Sequence, residues 1–127
     1  MIVAIASIGR EISPHFGQSN GCTVFYIKNQ QITAEKFIEN PLMKLEGGLF
    51  GQQVRTNTGD CSCRFFAQFL LHEIKIDVLV TGHIGGTASQ LFRQRGINVI
   101  AGVKGKIMDY LQEYVKREDN LRRVSSQ

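Results

Sequence analysis

Three histidines, His15, His72 and His83, and three cysteines, Cys22, Cys61 and Cys63, hold most of this chain's capacity for coordination chemistry. Imidazole nitrogen and thiolate sulfur are the ligands that iron, copper and zinc take from proteins. Cys61 and Cys63 flank Ser62 where a helix is expected to begin, so aligned amides and the helix macrodipole would stabilise a thiolate there. Their C-x-C spacing is not the C-x-x-C of a zinc knuckle, and no second cysteine pair follows, which argues against a closed four-coordinate zinc site. Two thiolates with His15 or His83 would instead form a metal or cluster-capping set; the pair also reads as a redox couple, or as two small residues without a role. His15 lies in SPHFG (13–17), between Pro14 and Phe16 and beside Gly17, where a free ring nitrogen would be screened by an aromatic neighbour. A histidine bonded within its own turn is the alternative there. His83 lies in TGHIGGTA (81–88), whose Gly82, Gly85 and Gly86 would present amides to an anion at a helix start, or serve only a tight turn.

Other polar residues add less. The G-x-x-G-G spacing is neither a dinucleotide fingerprint nor a P-loop, which needs a lysine. Glu11, Asp60 and Asp77 do not form a two-metal nuclease set, because Asp77 opens its strand at the opposite end of the sheet from Glu11. His72 falls on a solvated helix position, Cys22 reads as a small core residue, and Tyr110 and Tyr114 are packing partners at i, i+4.

The elements around these residues decide which of them can meet. Residues 1–7 read as a strand buried on both faces, followed by the polar loop IGREISPHFGQSNG. Residues 22–28 and 31–39 read as two further strands joined at Asn29-Gln30, the second an edge strand alternating Ile32, Ala34, Lys36 and Ile38. Residues 42–60 show little periodicity, and a loop of that length is usually functional or disordered. A helix follows from Asp60 or Ser62 to Ile74, with Phe65, Phe66, Phe69 and Leu70 at helical spacing and Asp60 as its N-cap. Then come a buried strand at 77–82, a helix at 87–95 stopped by Gly96, a buried strand at 97–102 and an amphipathic helix at 106–117. Right-handed crossovers make the first, fourth and fifth strands parallel neighbours, predicting a three-layer α/β/α domain around a mixed five-stranded sheet of order 3-2-1-4-5. The chain leaves the first and fourth strands in opposite directions, so the crevice at their carboxyl ends is the expected ligand site. The loops carrying His15 and His83 would form its two walls.

With 127 residues, 43% of them hydrophobic, the chain suits a single domain, here residues 1–123 with a short tail at 124–127. The apolar start MIVAIASI is too short to span a bilayer and lacks the basic flank of a signal peptide, so a cytoplasmic protein with reduced cysteines is expected, without membrane association. The net charge of +4 favours anionic ligands in general. The late basic residues, Arg93 to Arg123, are interleaved with Glu113, Glu118 and Asp119, too diluted to imply nucleic acid.

Taken in order, SPHFG (13–17), ENP (39–41), GGLFG (47–51), TGHIGGTA (81–88) and the GI-x-V-x-x-G of 96–102 resemble the dinitrogenase iron–molybdenum cofactor biosynthesis family. That family includes the NifX and NifY type proteins, the C-terminal part of NifB and many short stand-alone proteins. The resemblance spans about residues 1–123 and implies a ribonuclease H-like α/β/α fold with a mixed sheet. It further implies a carrier or chaperone role for iron–sulfur or iron–molybdenum clusters, with no reaction of its own. The histidine of the HFG motif, here His15, is the residue implicated in holding cofactor in some members. Gly82 and Gly85 match structural positions; Gly86 stands where proline is common, and His83 fills a variable position to which the resemblance gives no role. Cys61-Ser62-Cys63 departs from the commoner glycine-rich form of the segment before this helix.

The combined expectation is a non-enzymatic cluster carrier, with His15 the main ligand and Cys61 and Cys63 auxiliary ligands. Phe16, Gly17, Gly82, His83, Gly85 and Gly86 would line the crevice, and a cluster donor or acceptor protein would be its partner. The second expectation is a metal-free regulatory or interaction module that takes a small anion or a partner protein in the same crevice.

Overall fold

The computed structural model describes residues 1–41 and 59–125, the side chains of 59–62 and 118–125 excepted. Strand β1 (Ile2–Ile8) runs through the middle of the sheet, and its Val3–Ala6 stretch is fully buried, as a continuous apolar run on a two-sided sheet must be. β2 (Glu11–Ile12) turns back beside β1, and a short 3-10 helix (Phe16–Gln18) leads into β3 (Gly21–Lys28) and β4 (Gln31–Glu39). After helix α1 (Gly59–Glu73) the chain alternates β5 (Val78–Val80), α2 (Gly86–Gln94), β6 (Asn98–Ile100) and α3 (Ile107–Ser125). No helix among the described residues is long and apolar enough to cross a membrane.

The sheet is mixed and follows the path β4-β3-β1-β5-β6, with β2 attached to β1 beside that path. β1 pairs antiparallel with β3 (Val3 opposite Phe25) and parallel with β5 (Val3 opposite Val78), and β5 pairs parallel with β6. The β3–β4 hairpin closes through Asn29 and Gln30, both in the left-handed region (φ 53° and 64°), the pair of positive angles that a two-residue turn needs to match strand twist.

Alternation along the strands divides the core into two layers. Ala4, Ala6, Cys22, Val24 and Leu79 face α1 and α2, where small side chains on β1 leave room for the rings of Phe16, Phe66 and Phe92. Val3, Ile5, Phe25, Val78 and Val80 face Ile107, Leu111 and Tyr114 of α3. Helices therefore cover both faces, giving the three-layer α/β/α architecture.

Three details correct the sequence-based expectations. The sheet has six strands rather than five. The added one, β2, sits inside the segment read as loop and is too short to show alternation. β6 is shorter than expected and half exposed, because an edge strand is covered on one side only. α1 already includes Gly59, so Asp60 is a helical residue and not the cap. Nothing is described for 42–58, so the role of that long segment lies outside the described residues.

Candidate functional site

The loops that leave β1 and β5 are joined edge to edge by the backbone, continuing the parallel pairing of the two strands beyond their ends. Gly82 N–H donates to Ser13 O (3.0 Å), His83 N–H to Pro14 O (2.6 Å) and Phe16 N–H to His83 O (2.8 Å). This ladder sets His15 directly opposite His83. Both side chains are exposed, with ring centroids 5.8 Å apart and planes at 74°.

Each histidine is held outward by an inward neighbour. The Phe16 ring is fully buried, stacked on Phe66 (4.9 Å) and edge-on to Phe92 (5.6 Å). Ile84, beside His83, is buried in the same layer. The Ser13 hydroxyl donates to His15 O (2.7 Å) and accepts from His15 N–H (3.3 Å), fixing the turn around the imidazole. Asn40, the buried residue of the ENP motif, donates to Gly17 O (3.2 Å) and Ser19 O (3.0 Å) and so clamps the 3-10 helix that follows His15. Ser13 and Asn40 escaped the sequence reading as site residues. The signal for Asn40 was a polar residue beside a proline, which a simple strand end explains equally well.

A third loop closes the same end of the sheet. Gly102 N–H donates to Gly82 O (2.9 Å), Val103 N–H to Thr81 O (3.1 Å) and Ile12 N–H to Gly105 O (2.8 Å). Here φ is positive at Gly102 and Gly105, whereas none of Gly82, Gly85 and Gly86 is in the left-handed region. The glycines of 82–86 therefore answer to different constraints from a left-handed turn. Gly82 lies against Pro14, and a Cβ there would stand 2.5 Å from the Pro14 carbonyl oxygen. Gly85 is the N-cap of α2, its carbonyl accepting from Ser89 N–H (3.0 Å). Gly86 opens the helix with nothing within 4 Å of where a Cβ would be. Beneath them Thr81 is fully buried, and its hydroxyl has no hydrogen-bond partner among the described residues.

The described thiols, unlike the two imidazoles, are buried. Cys63 is only 4% exposed, packed in the α1 layer on the helix face of Phe66, while the Cys61 side chain lies outside the described residues. Cys22 is enclosed in β3, where burial pushes its thiol well above the ordinary range. Phe16 and Gly17, expected to line the crevice, are buried. His72 is exposed near the end of α1. Asp77 accepts a bond from Ile2 N–H (2.7 Å) at the far end of the sheet, and Glu11 lies on β2. Among the described residues no three of His, Cys, Asp and Glu are grouped so as to hold a metal ion by themselves.

Comparison with known proteins agrees with this architecture. The chain is similar to the PH0822 protein (23% identity, 91% of this chain and 89% of that one, TM-score 0.63). It is similar also to the apo form of the orange protein from Desulfovibrio gigas (20% identity, 94% and 87%, TM-score 0.61). A third solved structure, that of the mj0327 protein of Methanocaldococcus jannaschii, has 15% identity over 93% and 90% of the two chains, with TM-score 0.59. At these identities the likeness shows a shared fold. No curated protein sequence matches the chain. The sequence profile described as dinitrogenase iron-molybdenum cofactor matches residues 1–117, almost the whole of the chain. The chain belongs to the dinitrogenase iron-molybdenum cofactor family.

Proposed function

We propose that this protein is a carrier for a preassembled iron–sulfur or iron–molybdenum type cluster, held at the paired loops that follow β1 and β5, and that it performs no reaction of its own. His15 is the principal ligand. His83 supplies the second imidazole, and the amides of Gly85 and Gly86 at the start of α2 face the anionic charge of the cargo. The observation that carries this reading is the exposed His15–His83 pair, fixed by a backbone ladder rather than by flexible side chains.

The ligand count supports a prebuilt cluster over a bare ion. A single ion needs four or more donors, and the described residues bring two imidazoles together at this end of the sheet. A cluster arrives with its metals largely ligated by its own sulfides, so one or two imidazoles suffice to cap it. Few protein ligands also suit release to an acceptor protein, the partner that a carrier needs. Cys61 and Cys63 are auxiliary ligands in this proposal; because Cys63 is enclosed, its thiol would bind only after the start of α1 loosens.

Anaerobic reconstitution with iron and sulfide, followed by absorption spectroscopy and metal analysis, tests the reading. Charge-transfer bands in the wild type that weaken in His15→Ala are the expected result. A colourless, metal-free wild type would leave the same loops to the alternative, a module for a small anion or a protein partner.

A further inference from the structure

A second concave site lies at the opposite pole of the sheet, where α1 and α2 end and β5 and β6 begin. It is a cavity of about 360 Å³, within the range of pockets that hold small molecules. Its apolar walls come from Leu71, Ile74, Ile76 and Ile97, the last two buried. Three charged side chains, Lys75, Asp77 and Arg95, share its lining, all exposed. Asp77 uses Oδ2 to accept from Ile2 N–H, which fixes its carboxylate and leaves Oδ1 without a partner among the described residues. No salt bridge ties Lys75 or Arg95 to Asp77 among those residues.

Both charge signs are thus presented within one small, partly open cavity whose lining mixes polar groups with aliphatic side chains. The ends of α1 and α2 add the partial negative charge of helix C-termini, which attracts an ammonium group. Arg95 and Lys75 offer donors to a carboxylate, the guanidinium in bidentate fashion. A purely anionic ligand would meet Asp77 and two helix C-termini; a purely cationic one would meet Lys75 and Arg95. A small zwitterion would match both sets, and Leu71 and Ile74 would offer aliphatic contact to an apolar side chain on it.

We infer that this cavity binds a free α-amino acid with an aliphatic side chain, its carboxylate on Arg95 and Lys75, its ammonium on Asp77 Oδ1 and its side chain against Leu71, Ile74 and Ile97. The site is independent of the histidine loops, which occupy the other end of the sheet. A ligand here would join the ends of α1 and α2 to β5, whose far end carries His83.

The test is titration of the full chain with L-leucine, followed by amide chemical shifts, with 4-methylpentanoate and 3-methylbutylamine as probes that keep one charge each. Saturable shifts confined to residues 71–77 and 95–97 are expected, with each half-ligand binding about ten-fold or more weakly, a difference of one lost charged contact. Arg95→Ala and Asp77→Asn should each weaken leucine about ten-fold; the asparagine can keep the acceptor for Ile2 N–H, so that variant retains its fold. Absence of shifts at about 10 mM leucine, far weaker than a built site gives, would overturn the inference. So would shifts centred on Phe16 and His83, a half-ligand binding as tightly as leucine, or affinity unchanged in both variants.

Discussion

Gly82 packs directly on Pro14, so close that a Cβ would sit 2.5 Å from the Pro14 carbonyl oxygen and 2.7 Å from its Cα. This contact allows the loops after β1 and β5 to run side by side, and His15 faces His83 only while they do. Gly82→Ala must push the loops apart and should destabilise the protein by about 1–3 kcal/mol, the range for overpacking a tight site. Gly86→Ala, with open space around the new methyl group, should be neutral or stabilise by about 0.4–1 kcal/mol. Urea unfolding midpoints of the two variants separate a glycine needed for close approach from one that is not.

Asn40 should matter to the site without touching any cargo. Its amide holds the carbonyls of Gly17 and Ser19, just after His15. Asn40→Ala leaves both buried acceptors short of a donor and should cost about 1–3 kcal/mol. Hydrogen exchange should quicken first at Gln18 and Ser19, whose amides donate to His15 O and Phe16 O. Unchanged exchange there would contradict the clamp.

Cys22 gives the protein an alkaline limit. Burial favours the neutral thiol, so its ionisation in the folded state lies above the ordinary value of 9.0. The unfolded chain releases this proton first. The stability tied to the neutral thiol is therefore complete below pH 9 and lost as pH rises above it, by up to about 1.4 kcal/mol per pH unit. Between pH 9 and 10 the wild type should lose stability more steeply than Cys22→Ala. Equal slopes would show that this thiol ionises freely in the fold. Tyr110, raised by burial against an opposing effect of Arg117, adds a loss of the same sign at higher pH.

Much of this arrangement was legible in the chain. The apolar run of β1, the Asn29-Gln30 turn and the alternating strand–helix second half required a layered mixed sheet, and those connections imply that the loops bearing His15 and His83 leave the same end of it. Phase within short aromatic runs was not legible. Phe65 and Phe66 both fit a helical stripe, yet Phe66 is fully buried and Phe65 is 49% exposed, because tertiary packing chooses which flank of a stripe turns inward. Phe16 had the pattern of a residue screening a ligand, but its ring serves the core against Phe66 and Phe92, and only its neighbour faces out. Ser13, Asn40 and β2 were hidden for a common reason. Their work is to bond loop backbone, and a loop's hydrogen-bond partners leave no periodicity in sequence.

The most direct test of the histidine pair as a cargo site is anaerobic titration with a preassembled iron–sulfur cluster, followed by absorption, in wild type, His15→Ala, His83→Ala and the double variant. Saturable uptake by the wild type is expected, weakened about ten-fold or more by His15→Ala, less by His83→Ala, and abolished in the double variant with the fold intact. Uptake by the double variant equal to that of the wild type would contradict the account.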